Sequence, residues 1–243
     1  MKKFKIILFL TIVMVQFSVF AESTNNDYRF NAYESKRGSR TSWARGKMKG
    51  KSESWDKSKW YWHQFPFADL RFIQYLSAKT SVNMLQDWNV VSLRKLDHMV
   101  AFPVIFLQNE HAPDVARIEL RNLKEYMLRG GIIWVDDCVY RGGNLYYTGM
   151  IKILKILFPE VVLNSYYTDH EILSYYYKYK RWVHWQGINT GLTLAYNKGR
   201  LIAVLSGSDI HCAWAGVEYP ATRRYKNASF RLGTNIYLYM MNN

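Results

Sequence analysis

An α/β fold with a mostly parallel sheet covered on both faces is predicted, and three observations predict it. Apolar runs of strand length, "MVAFPVIFL" over 99–107 and "IIWV" over 132–135, have the continuous character of strands buried on both sides. Between them, "DVARIELRNLKEYMLRGG" places Val115, Ile118, Leu120, Leu123 and Met127 at helical spacing, with Asp114 at its start and Gly130-Gly131 at its end. Strands alternating with helices imply parallel crossover units and hence a layered sheet.

The elements follow in chain order. Lys2, Lys3 and Lys5 precede an apolar stretch from Ile6 to Phe20, and Val19-Phe20-Ala21 fits a small-residue cleavage pattern. Residues 1–21 therefore read as a secretory signal peptide, with the remainder, 22–243, a single α/β domain in the periplasm or cell envelope of a bacterium. No later run reaches the roughly 18 unbroken apolar residues of a membrane helix, so no transmembrane span is expected after the signal. Tyr28, Phe30 and Ala32 alternate as in a strand. Residues 36–59 are rich in Lys, Arg, Ser and Gly, with Trp43, Met48 and Trp55 their main apolar residues. They read as a basic, flexible and exposed insertion.

"FADLRFIQYLSAKT" has helical spacing, and "VVSL" is a short strand. Pro103 argues that the run over 99–107 lies at an edge or a bulge. "NLYYTGMIKILKILFPE" is a helix and "VVLNSYY" a strand. "LTLAYNKGRLIAVLS" is a hairpin turning at Asn197-Lys198-Gly199, and "ASFRLGTNIYLYMM" is a closing helix.

Charge narrows the partners. The formal net charge is +14, and outside the cytoplasm a basic surface meets anionic lipids and acidic polymers rather than nucleic acid. "SYYYKYKRWVHWQG" (174–187) interleaves tyrosines with Lys178, Lys180 and Arg181. It reads either as an edge strand blunted by charge or as a platform for sugars carrying anionic groups. With only two cysteines, Cys138 and Cys212, the fold rests on its core; the pair is a disulfide candidate, and packed thiols are the alternative.

Ligands of open α/β sheets bind beyond the carboxyl ends of the strands. Asp136, Asp137 and Cys138 stand at one such end, Asp169 and His170 at a second, and Asp209, His211 and Cys212 at a third. Asp136, Asp137, His170 and His211 are thus the catalytic candidates. Because successive strand residues face opposite ways, Asp136 and Asp137 are expected to split, with one at the rim and the other capping a helix or accepting backbone N–H groups. Gly-x-Cys-x-Gly is absent around Cys138, so an amidotransferase-type nucleophile is not recognisable. No cofactor motif and no His-x-x-x-His ligand pair stands in the chain, and neither a cofactor nor a metal site is expected.

Several stretches in order resemble the family known as domain of unknown function 4159: "FPFADLRFIQYL", the Gly-Gly before "IIWVDDC", "YYTDHEI", "LIAVLSGSDIHCAWAG" and "RLGTNIYLYMM". The likeness spans about residues 28–242, with 36–59 as an insertion; Glu171 stands where the family would place proline. The resemblance implies a three-layer flavodoxin-like sheet similar to class I glutamine amidotransferases, an exported or membrane-attached setting, and no known reaction. Asp69 and Trp214 lie within these stretches and join Asp137, Asp169, His170 and Asp209 as ligand-binding candidates. The expected function is a non-catalytic envelope module that binds a partner protein or an anionic envelope polymer at the carboxyl rim. A hydrolase using Asp136 or Asp137 with His170 or His211, possibly metal-dependent, is the alternative. In a third reading the sheet only positions residues 36–59.

Overall fold

Seven strands line up in a single mixed sheet, and around it the computed structural model describes residues 40–51, 61–139, 143–216 and 220–243. The expected signal peptide over 1–21 and the expected strand over 28–32 lie outside these residues. The strands are β1 (Thr41–Lys47), β3 (Met84–Ser92), β4 (Val104–Asn109), β6 (Ile132–Asp137), β7 (Val162–Tyr166), β8 (Leu192–Asn197) and β9 (Arg200–Ser206). Their spatial order is β3-β1-β4-β6-β9-β8-β7. Only β8 runs against the others, since it pairs antiparallel with both β9 and β7. A two-stranded ribbon of β2 (Lys49–Gly50) and β5 (Pro113–Asp114) stands apart. The coarse expectation, an α/β protein with a mostly parallel sheet, is what the molecule has.

The helices are α1 (Pro66–Lys79), α2 (Leu96–Met99), α3 (Arg117–Leu128), α4 (Leu145–Leu157), α5 (Glu171–Ser174), α6 (Ile210–Trp214) and α7 (Arg223–Met241). Helices α1, α6 and α7 pack on one another, and α3 packs on α4. Between α1, α6 and the sheet lies an aromatic core. Trp43 of β1, Phe72 of α1, Phe106 of β4, Trp134 of β6 and Trp214 of α6 are all at most 2% exposed, and Phe72 stacks on Trp214 at 4.1 Å. Each ring removes some 150–250 Å² from water, so this cluster is the main apolar contribution on that face.

The strand β1 overturns the expectation for residues 36–59. Residues 41–47 form an inner strand, between β3 and β4, and Trp43, Ala44, Arg45 and Met48 are buried. Charge-rich composition suggested an exposed insertion, but Arg45 is compensated inside the protein. Residues 36–39 and 52–59 lie outside the described residues. Gly46 permits the close approach of β4: a Cβ there would sit 2.3 Å from Leu107 Cδ2.

Three smaller expectations also change. Pro103 precedes β4, which is central, because the chain over 96–99 is the helical turn α2. Asp114 pairs in the β2–β5 ribbon, and α3 begins after Ala116, whose N–H bonds the Glu119 carboxylate at 2.8 Å. Residues 174–187 form no edge strand: Ser174 ends α5, and beyond a single bridge from Arg181 to Thr168 the rest are irregular. Their start is tied to α7 through Asn235, whose Oδ1 accepts from Tyr176 N (3.0 Å) and Tyr177 N (2.7 Å) and whose Nδ2 donates to Leu173 O and Tyr177 O. The hairpin holds: Lys198 and Gly199 both have positive φ (49° and 78°), as a two-residue turn between paired strands requires.

Candidate functional site

At the carboxyl ends of β4, β6 and β9 the polar residues form two adjoining buried groups. Arg45, from β1, centres the first. It donates from Nη1 to Asp69 Oδ2 at 2.5 Å and from Nη2 to Gln108 Oε1 at 2.5 Å. Trp43 Nε1 donates to the other Asp69 oxygen at 2.7 Å, and His211 Nε2 lies 3.1 Å from Oδ2. All of these side chains are at most 2% exposed. Burial alone would raise the Asp69 pKa, but Arg45 and His211 outweigh it and hold the carboxyl below its usual range. Burial, helped by Arg45, pushes the His211 imidazole down to about 4. His211 is therefore neutral near pH 7, and its Nε2 stands between Asp69 Oδ2 and Arg45 Nη1, 3.3 Å from the latter. The group is charge-balanced, with one cation, one anion and neutral partners, while Arg45 Nε, Gln108 Nε2 and His211 Nδ1 are buried without a hydrogen-bond partner among the described residues.

The second group lies next to it. Asp136 accepts the backbone N–H of His211 at 2.8 Å, and so caps the start of α6. Asp137 faces the other way and accepts from Val139 N (2.7 Å) and Tyr147 N (2.8 Å), at the start of α4. The two aspartates do split across the sheet, but both terminate helices. Burial, reinforced by the charge of Asp209, raises Asp136 well above its usual range; burial raises Asp137 to about 7 against its backbone hydrogen bonds.

Beside them, Cys138 Sγ, Cys212 Sγ and an Asp209 carboxylate oxygen lie within 4.8 Å of one another. Both cysteines are free thiols. Cys138 Sγ donates to Gln64 Oε1 at 3.2 Å, and Gln186 Nε2 donates to Asp209 Oδ2 at 2.5 Å. A hydrogen bond with Cys212 pulls the Cys138 thiol down, yet burial and the charges of Asp209, Asp136 and Glu110 together push it up to about 12. An inert, protonated thiol suits no nucleophile.

His170 belongs elsewhere. It follows β7, three strands from β6 in the sheet order, roughly 14 Å away at ordinary strand spacing. Its ring lies 4.0 Å from Tyr166, and Nδ1 accepts from Ile172 N at 3.2 Å to cap α5. Asp169, His170, Glu171, Ser174, Lys178, Tyr179 and Lys180 line an open concavity of about 450 Å³. The structure thus brings Asp69, Asp136, Asp209 and His211 into one neighbourhood and keeps His170 and Asp169 out of it. Trp214 has no exposed surface and packs in the aromatic core.

Sequence reasoning missed Arg45, Gln64 and Gln108. Arg45 sits in a basic stretch where nothing separates a buried arginine from solvated ones. Gln64 precedes "FPFADLRF" and carries no signal of its own.

None of the curated proteins compared matches the chain. Among the described residues no helix is long and apolar enough to cross a membrane. The model of the family described as domain of unknown function 4159 matches residues 51–241, from just after β2 to the end of α7, and the chain belongs to that family.

Proposed function

We propose that the chain is an exported cell-envelope module that binds without catalysis, taking an anionic envelope polymer at the carboxyl rim beside β7. The observation that carries this reading is the open concavity of about 450 Å³ whose lining includes Lys178, Tyr179, Lys180 and His170 as well as Asp169 and Glu171. Two ammonium groups next to an aromatic ring suit a sugar that bears carboxylates: the ring packs on the apolar face and the lysines meet the charge. The overall charge of +14 favours the same class of partner. An exported setting follows from residues 1–21, and the flavodoxin-like, amidotransferase-like arrangement is our reading of the sheet order and the family likeness.

A hydrolase built on Asp136 or Asp137 with His170 or His211 finds less support. Asp136 and Asp137 are occupied at helix starts, His211 is locked to Asp69, and His170 lies across the sheet. General acid–base work needs such groups within hydrogen-bond reach of a shared reacting atom.

Co-sedimentation with insoluble peptidoglycan, whose muramyl peptides carry carboxylates, tests the reading. The protein pellets with the polymer, and Lys178→Glu/Lys180→Glu lowers the bound fraction on the order of tenfold, as two reversed surface charges allow. A double variant that pellets like the parent, or a parent that stays in the supernatant, overturns it.

A further inference from the structure

We infer that Cys138, Cys212 and Asp209 form a binding site for a soft divalent cation of the zinc class, formed when the two thiols are reduced. The site is separate from the concavity beside β7 and does not rest on the binding role assigned there.

Its geometry carries the argument. The three donors come from two distant parts of the chain: Cys138 follows β6, while Asp209 and Cys212 bracket the first turn of α6. All three are buried, and their ligand atoms lie within 4.8 Å of one another. Thiolates at the usual ~2.3 Å from a tetrahedral zinc stand about 3.8 Å apart, so small side-chain rotations close the set. A neutral oxygen, Gln64 Oε1, already touches Cys138 Sγ at 3.2 Å and offers a fourth donor. Asp209 is steadied by Gln186, whose Nε2 holds Oδ2 at 2.5 Å, the kind of outer hydrogen bond that orients a ligating carboxylate.

The surroundings call for a cation. Among the described residues, the charges that reach Cys138 come from Asp209, Asp136 and Glu110, all acidic, and Asp136 Oδ1 is buried with no hydrogen-bond partner. A disulfide would use the two sulfurs alone and not the Asp209 carboxylate beside them. A dication engages all three. On binding, each thiol releases its proton to solvent as its sulfur lone pair forms the metal bond, and the ion sheds its water; no oxidant or reductant is involved. Two thiolates and a carboxylate around a dication leave a single net negative charge. The mixed sulfur and oxygen donors select zinc, or cobalt as its spectroscopic substitute, over calcium or magnesium.

The test uses the whole protein, reduced, stripped of metal and titrated with cobalt(II) without oxygen. The expected result is stoichiometric binding with a thiolate-to-cobalt charge-transfer absorption in the near ultraviolet, displaced by zinc. Cys138→Ser and Cys212→Ser each remove that absorption. Asp209→Asn retains both thiols and weakens binding at least about tenfold. Should a cysteine variant fail to fold, Gln64→Ala and the rise in melting temperature of the parent with zinc provide independent readouts. Reduced protein that shows two free thiols but neither the absorption nor a zinc-dependent rise overturns the inference. So does an Asp209→Asn variant that binds cobalt as tightly as the parent.

Discussion

Two polar regions share the carboxyl rim and are equally dry, yet they solve burial in opposite ways. Around Arg45 every formal charge has its counterpart: guanidinium against Asp69, with Gln108, Trp43 and neutral His211 completing the shell. Around Cys138, among the described residues, the formal charges that reach the thiol are negative or suppressed: Asp136 is driven toward its protonated form and the thiols stay protonated. The first region balances its charges against one another; the second keeps its groups neutral by holding protons. Buried charge is tolerated where a partner is built in, and where none is built in the groups shift their pKa.

The largest effect that breaks this contrast is expected from Asp69→Ala. It strands Arg45 without its carboxylate in a site with no solvent access, and unfolding in urea should show a loss of roughly 3–5 kcal/mol. A loss below about 1 kcal/mol would mean that the first region is not held by its ion pair.

Asp137→Asn comes next. It turns an amide toward one of two backbone N–H groups and should cost about 1–3 kcal/mol. It also changes the pH dependence. Asp137, raised from 3.8 to about 7, contributes stability that is full below pH 3.8 and is lost as pH rises toward 7. His211, lowered from 6.5 to about 4, contributes stability that is full above pH 6.5 and is lost as pH falls toward 4. In the parent the two slopes oppose one another between about pH 4 and 6.5. Without the Asp137 carboxyl the His211 slope is uncovered, so melting temperature against pH should rise more steeply across that window in the variant. Parallel curves would show that Asp137 does not titrate there.

The smallest effect sharpens the comparison. Asp136→Asn replaces a group already held near neutrality, and its amide oxygen still accepts from His211 N. Near neutral pH it should cost under about 1 kcal/mol, far less than losing Asp69. A cost as large as that of Asp69→Ala, by the same urea unfolding, would mean that Asp136 is ionised and that the second region hides a cation partner of its own.

Much of the sheet was legible because burial on both faces leaves continuous apolar runs, as in Ile132–Val135, and because Lys198-Gly199 has the chemistry of a tight turn. The strand β1 was not legible, since "TSWARGK" buries a cation, Arg45, whose carboxylate partner stands 24 positions away. No local pattern encodes such a partner. The rim candidates Asp136, Asp137, Asp209 and His211 were found from their position after strands. Their roles were not, because helix capping and catalysis draw on the same residue type at the same place. Cys138 and Cys212 meet only once α6 folds back beside β6.

The tie made by Asn235 has a consequence for how the molecule breathes. Amides in irregular surface segments ordinarily exchange with solvent through small local openings. The amides of Tyr176 and Tyr177 instead donate to a side chain on α7, the longest helix among the described residues. Their deuterium uptake should therefore follow the slow opening of α7 and not the fast fraying of their own loop, which makes the wall of the β7 concavity as durable as the helix behind it.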